Sequence, residues 1–285
     1  MEHAHKRVVI GITGASGFIG KNLSEYMQKK GFETLSLNRG FNAKELEKCN
    51  IVVNLAGATI NKRWSKSYKK KILESRLDTT KKITTYIKKN KNISLLISAS
   101  AVGIYSSENK NYNDEYSNIY GNNFLSYVCK EWEKEALSVK EITKVAITRF
   151  GLVLSEKGGA LPKMTLPAKF GIATILGRGD QIISWIMLED LLRAINFIIE
   201  NQIEGVVNMC APNPITNKEL TKKIAKKFNS FIIVKTPSFL LKLIMGEASS
   251  ILLKGQYVIS KRLVTNGFIF RKEFFLKKIE KTHYF

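Results

Sequence analysis

Three glycines set out the first chemistry in this chain. Gly14, Gly17 and Gly20 stand three residues apart in the stretch Thr13-Gly14-Ala15-Ser16-Gly17-Phe18-Ile19-Gly20. Val8-Val9-Ile10 precedes them, an apolar and β-branched run of the kind that suits a strand buried on both faces. A helical pattern follows to about Lys30. A strand, a glycine-rich turn and a helix N-terminus make an anion site, because the free N–H groups and the positive helix end face one point. Gly14 allows the tight turn, Gly17 lets backbone approach a pyrophosphate, and Gly20 lets the helix pack close to the strand. Binding of a dinucleotide is the chemistry implied. The plainer alternative is a tight turn in some other α/β protein.

A second signal follows strand two, read as Thr34 to Leu37, which ends in Asn38-Arg39. An acidic residue at this position binds the ribose hydroxyls of NAD and repels a 2′-phosphate. A polar residue followed by arginine suits that phosphate, so NADP(H) is expected and NAD is disfavoured. On a long helix read from Ser67 to Lys89, Arg76 falls at the edge of a stripe formed by Leu73, Leu77, Thr80, Ile83 and Ile87. It fits either a structural ion pair or a contact to a cofactor. The only histidines are His3, His5 and His283, so the body of the chain has neither a histidine base nor a His-containing metal site, and no metal is expected.

These groups need a scaffold. Strands read at Ile51 to Leu55, Ser94 to Ser98, Lys144 to Phe150 and Gly205 to Met209 alternate with helices at Asn122 to Ser138 and Leu188 to Ile199. The pattern is that of an α/β fold with a doubly wound parallel Rossmann sheet. Only a dozen residues separate Arg39 from Ile51, too few for a full βαβ unit, so one peripheral strand is expected to be shortened or lost. The sheet domain is placed at 1–157, completed by 187–211. A smaller, mostly helical domain is placed at 158–186 and 212–285, with Thr216 and Glu219 in the spacing of a helix-capping box.

The chain carries 46 Lys and Arg against 24 Asp and Glu, a net charge of +22. The lysines are spread over many helices without interleaved aromatics, which reads as solvated faces. No specific nucleic acid and no membrane is expected as partner. Cys49, Cys129 and Cys210 are far apart among apolar neighbours and read as buried free thiols of a reducing compartment. The start of the chain lacks the apolar core of a signal peptide, and a cytoplasmic location is expected.

Several segments together resemble the extended short-chain dehydrogenase/reductase superfamily: the glycine stretch above and Asn54-Leu55-Ala56-Gly57. Arg63-Trp64-Ser65, Ser75-Arg76-Leu77, Trp132-Glu133, Arg149 to Leu154, and Gly179-Asp180-Gln181 with Ser184-Trp185-Ile186 resemble one of its subfamilies. That subfamily is labelled nucleoside-diphosphate-sugar epimerase or cell-division-inhibitor-like. Pro237 to Phe270 is similar to its C-terminal domain. The resemblance implies a phosphate loop of Gly14, Ser16, Gly17, Phe18 and Ile19. It implies Asn38 and Arg39 at the adenosine 2′ side, Leu55, Ala56 and Gly57 along the adenine and ribose, Arg76 against the cofactor, and Leu152 at the nicotinamide end.

Catalysis in that superfamily uses a Ser or Thr with Tyr and Lys spaced Y-x-x-x-K, one helical turn apart, where the ammonium lowers the phenol pKa. Ser100 resembles the serine. Counting back from Trp132-Glu133, the other two positions fall on Leu125 and Cys129. Tyr127 and Lys130 are out of register, and Tyr26 with Lys30 and Tyr257 with Lys261 have the spacing in the wrong places. The expectation is an NADP(H)-dependent oxidoreductase or epimerase-like enzyme without the dyad, with Ser100 and a loop tyrosine such as Tyr105 polarising a carbonyl. Its substrate is a small molecule of unknown identity, a nucleotide sugar being one candidate, and a homodimer is compatible with the fold. The alternative is a cofactor-binding sensor or regulator without turnover.

Overall fold

The structure is a computed structural model that describes residues 8–109 and 111–271; His3, His5 and His283 lie outside them. The first half alternates strand and helix: β1 (Val9–Thr13), α1 (Phe18–Lys29), β2 (Glu33–Leu37), α2 (Ala43–Glu47), β3 (Ile51–Asn54), α3 (Lys66–Lys89), β4 (Leu95–Ala101), α4 (Phe124–Leu137) and β5 (Lys144–Phe150). A second group follows: β6 (Leu152–Ser155), β7 (Gly158–Gly159), α5 (Leu161–Lys169), β8 (Ile172–Leu176), β9 (Ile182–Ile183), β10 (Trp185–Met187), α6 (Leu188–Glu200) and β11 (Gly205–Met209). The last is β12 (Ile215–Thr216), α7 (Asn217–Lys227), β13 (Ile232–Thr236), α8 (Ser238–Met245), α9 (Ser250–Leu253) and α10 (Lys261–Thr265).

Six strands form one sheet in the order β11-β5-β4-β3-β1-β2, every neighbour parallel. Parallel strands must be covered on both faces, and their composition answers that need. Ile10, Ile12, Val53, Leu95 and Ile97 face α1 and α6, joined by Leu23 and Met27 of α1 and Leu191, Ile195 and Ile198 of α6. Val52, Leu96, Val145 and Ile147 face the other way, onto Ile83, Tyr86 and Ile87 of α3 and Ala136 of α4. Each such fully buried side chain contributes roughly 1.5–3 kcal/mol. The short interval between β2 and β3 has the consequence expected of it. β2 is the sheet edge, and β3 pairs directly with β1 on its other side, with no further strand outside β2 among the described residues.

The remaining residues build a smaller lobe. It has helices, but also three small sheets: β10-β6-β7, β12-β9 and β13-β8. The helical expectation for this region therefore covers only part of it. Ile172–Leu176 and Ile232–Thr236 are short β-branched runs that find each other across the chain and pair in parallel. Thr216 and Glu219 do form a capping box at the start of α7.

A buried polar chain fixes the sheet top to its helices. Thr13 Oγ1 donates to Asn54 Oδ1 at 2.7 Å, Asn54 Nδ2 donates to Thr80 Oγ1 at 2.8 Å, and Trp132 Nε1 donates to the same oxygen at 2.9 Å. The chain crosses β1, β3, α3 and α4, and all three polar residues are at most 1% exposed. Thr80→Val keeps the shape and removes the shared acceptor, leaving two buried donors unpaired. The expected loss is about 2–4 kcal/mol of unfolding free energy in urea titration, at roughly 1–3 kcal/mol per orphaned group. A change below half a kilocalorie would show that the network does not bear on the fold.

Candidate functional site

The glycine turn leaves β1 and opens α1 as a cradle. Gly14 has φ of +67°, and a Cβ there would stand 2.8 Å from the Leu55 carbonyl oxygen. A Cβ on Gly20 would run into the Gly14 carbonyl. Both positions therefore require glycine, one for its dihedral and one for close approach. α1 begins with no side-chain cap and no acidic residue in its first turn. Its leading N–H groups and its positive end are thus left to an outside anion. Ser16 and Gly17 are exposed at the rim, Ile19 is half-buried, and the Phe18 ring lies against Gly158 and Gly159. That contact joins the cradle to the small lobe.

At the end of β2, Asn38 and Arg39 are exposed, and Arg39 has no ion pair among the described residues. After β3 the chain is held over the cradle: Leu55 N and Ala56 N donate to Thr13 Oγ1 at 3.1 and 3.3 Å. Arg76 reaches the same loop from α3. Its Nη1 donates to the Ala58 carbonyl at 3.2 Å and the Ile72 carbonyl at 2.9 Å, and its guanidinium rests against Gly57, 5.2 Å from the Trp132 ring. Burial lowers its pKa, and no carboxylate pairs with it among the described residues. Of the two roles open to Arg76, the structural ion pair is therefore not formed. A half-buried cation with carbonyl partners only is suited to a phosphate or another anion. The cradle and Arg76 fit the phosphates of a dinucleotide.

The ends of β4 and β5 hold a second cluster. Arg149 Nη2 and Nε donate to the two carboxylate oxygens of Glu133 at 2.7 and 2.9 Å, and both residues are buried. Burial pulls the guanidinium pKa down, but the hydrogen bonds and charge of Glu133 outweigh it and leave it raised. Ser100 stands at the end of β4, 3% exposed, and its hydroxyl donates to Glu133 Oε1 at 2.5 Å. Arg149 Nη1 donates to the Tyr105 hydroxyl at 2.7 Å, which also lies 2.9 Å from the Asp114 carbonyl and from Asn208 Oδ1. Burial, partly offset by Arg149, pushes the Tyr105 phenol up to about 12. The two hydroxyls expected to polarise a carbonyl are thus both engaged by the protein. Ser100 gives its proton to a carboxylate, and Tyr105 is fully buried.

The register of α4 is plain. Leu125 is half-buried, Cys129 is buried, and Glu133 follows one turn later. Tyr127 is 51% exposed, and Lys130 Nζ donates to the Gly121 carbonyl at 3.1 Å. Glu133 and Arg149 were read only as parts of a resemblance. The available signal is a charge, Arg149, beyond the apolar run Val145 to Ile147 of a strand, and another on the apolar side of a helix. Leu152 opens β6, half-buried, its N–H donating to the Ser184 carbonyl at 2.8 Å. Towards the end of the loop after β3, Trp64 is buried with Val128 and Ala248, and Phe124, Leu125, Met245 and Ile251 pack on them.

Cys49, Cys129 and Cys210 are free and buried. Burial pushes the Cys49 and Cys129 thiols up to about 11, with nearby carboxylates adding to it, and raises Cys210 well above its ordinary value. The native protein is expected to resist a thiol-labelling reagent at neutral pH and to label at all three cysteines when denatured. Rapid native labelling of Cys129 would place a reactive thiolate in this cluster.

Comparison with known proteins agrees with the geometry. Residues 10–210 match the NAD dependent epimerase/dehydratase family, and residues 236–273 match a domain of unknown function. The epimerase family protein YfhF of Bacillus subtilis is 35% identical over 92% of this chain and 93% of its own length. A Staphylococcus aureus epimerase family protein is 33% identical over 91% of this chain and 94% of its own. The human epimerase family protein SDR39U1, solved with NADPH, superposes with a TM-score of 0.89 at 28% identity, covering 96% of this chain and 98% of that one. A nucleoside-diphosphate sugar epimerase from Corynebacterium glutamicum superposes at 0.76 with 28% identity, covering 93% of this chain and 56% of that longer one. With its uncapped glycine cradle on a six-stranded parallel sheet and a match running through every strand of that sheet, this chain belongs to the NAD dependent epimerase/dehydratase family.

Proposed function

We propose that this protein binds NADP(H) in the β1–α1 cradle and is an oxidoreductase or epimerase-like enzyme working without a Tyr-Lys dyad. The observation that carries the reading is the cradle itself: an uncapped helix N-terminus behind a glycine fixed in the left-handed region. The amides of Phe18 and Ile19 would hold the pyrophosphate. Arg39 would pair with the adenosine 2′-phosphate, and Leu55, Ala56 and Gly57 would line the adenine and ribose side. Arg76 would add positive charge behind Gly57, and Leu152 would lie at the nicotinamide end. When bound, the cofactor supplies or accepts a hydride at that end.

The preference for NADP(H) rests on Arg39, because other proteins of this fold take the unphosphorylated cofactor: MoeE5, 16% identical, was solved with NAD. Ser100 is a positioning residue in this proposal. Its proton is held by Glu133, and its remaining lone pairs can accept from a substrate hydroxyl but cannot polarise a carbonyl. The same observation favours the second reading, a cofactor-binding sensor or regulator without turnover.

Calorimetric titration tests the first step. NADPH is expected to bind more tightly than NADH, and Arg39→Ala to cost about 1–3 kcal/mol of NADPH affinity while leaving NADH unchanged. Equal affinities for both cofactors in both proteins would remove the 2′-phosphate assignment. Hydride consumption with a library of aldehydes and ketones, together with chromatographic detection of epimers formed from nucleotide sugars, which consumes no net hydride, then divides the two readings. Turnover with any of them supports the enzyme, and tight NADPH binding with none supports the sensor.

A further inference from the structure

The small lobe exposes more apolar surface than a chain in water needs. On β13, Ile232, Ile233 and Val234 are all exposed, with Phe231 before them at 79%. β13 pairs on one side only, with β8, and its other edge is free among the described strands. Ile232 sits beside the exposed Ile172 in that pair, and Phe170, 75% exposed, leads into β8. From Thr236 the chain passes through Pro237 straight into α8, where Phe239 and Leu243 are 71% and 69% exposed. Soluble monomers seldom expose a contiguous apolar surface beyond a few hundred Å², and a free apolar strand edge invites a partner.

The charge around this surface selects the partner. Residues 157–177 and 220–246, which carry the whole patch, contain no aspartate or glutamate. They contain Lys163, Lys169, Lys235 and Lys242, all exposed. A second copy docked face to face would bring like charges together. A nucleic acid would find partners for the lysines but none for a run of isoleucines, valine and leucines. A bilayer with anionic lipids takes both: ammonium groups at the phosphates, Phe and aliphatic side chains at the acyl boundary. The surface is tied to the sheet domain, since Arg63 Nη1 donates to the Leu243 carbonyl and Lys69 of α3 pairs with Glu247 just beyond α8.

We propose that β13, the adjoining end of β8 and α8 form a docking surface for an anionic membrane, by which the protein binds the bilayer peripherally. This goes beyond the cofactor reading and is independent of it. No helix among the described residues is long and apolar enough to cross a membrane. The lysines dismissed above as solvated faces thus acquire a ligand in this one region.

Flotation of the full chain with vesicles tests the proposal. Phosphatidylcholine mixed with phosphatidylglycerol is compared with phosphatidylcholine alone. Binding is expected to the mixed vesicles only, to weaken with salt, and to fall about tenfold or more in the pair K235E and K242E, a loss in keeping with the worth of a lysine at such a surface. The pair F231S and L243S should also weaken it. The pair K88E and K89E, at the far end of α3, carries the same charge change and should have a much smaller effect. Near-equal loss in both lysine pairs would overturn the proposal, because diffuse charge would then explain the binding. So would no binding to mixed vesicles, or a dimer seen by sedimentation that F231S and L243S dissolve. All substitutions lie on exposed side chains, and unchanged thermal melting and circular dichroism confirm that each variant is folded.

Discussion

A guanidinium and a carboxylate meet inside this molecule at a point where neither could stand alone. Removing a charge from water costs several kilocalories, and only a partner with further hydrogen bonds offsets it. Arg149 and Glu133 meet that condition with a two-pronged contact, Ser100 on one carboxylate oxygen and Tyr105 on the remaining guanidinium nitrogen. The pair thereby locks the ends of β4 and β5 to α4. Through Tyr105 it reaches Asn208 on β11, and Asn208 N donates to Glu115 at 3.1 Å. Glu115 also accepts from Lys261 N and Arg262 N, the opening of α10. One ion pair thus stands at the head of a chain of contacts running from the sheet into the C-terminal segment.

This arrangement fixes the hydrogen bonding of the hydroxyls at the C-terminal end of the sheet. Counted from Trp132-Glu133, the helix positions at which the resemblance implies a phenol beside an ammonium hold Leu125 and Cys129. The next turn brings Glu133, which takes the serine proton instead. The Ser100 hydroxyl and the glycine cradle therefore belong to separate sets of contacts. The cradle presents uncapped backbone amides with Arg76 behind its neighbouring loop, while the Ser100 hydroxyl is held in the core by Glu133. Members of one fold family can diverge in this way because the sheet needs only its apolar faces to survive, and the groups at its C-terminal edge are free to be reassigned.

Much of this was legible in the chain, for reasons of range. The cradle is local: strand, turn and helix start lie within a dozen residues, so spacing alone reveals them. The lost strand could be read from the interval between Arg39 and Ile51, because a crossover has a minimum length. The residues at the two helix positions, Leu125 and Cys129, could be counted from Trp132-Glu133. The Glu133–Arg149 pair could not be counted, since the two residues lie on different elements and meet only through the order of the sheet. The orientation of Ser100 follows from that pair and was hidden with it. The β8–β13 pair was hidden as well, its two runs lying some sixty residues apart. An apolar run such as Phe231 to Val234 reads as core in any sequence. Only the fold reveals that nothing among the described residues covers it.

A crystal structure of this protein with NADPH would decide most directly whether cofactor site and proton site are separate. The result expected places the pyrophosphate on the backbone of Phe18 and Ile19, with the Ser100 hydroxyl still on Glu133. A serine turned from Glu133 toward the nicotinamide, or a pyrophosphate bound away from the cradle, would contradict it.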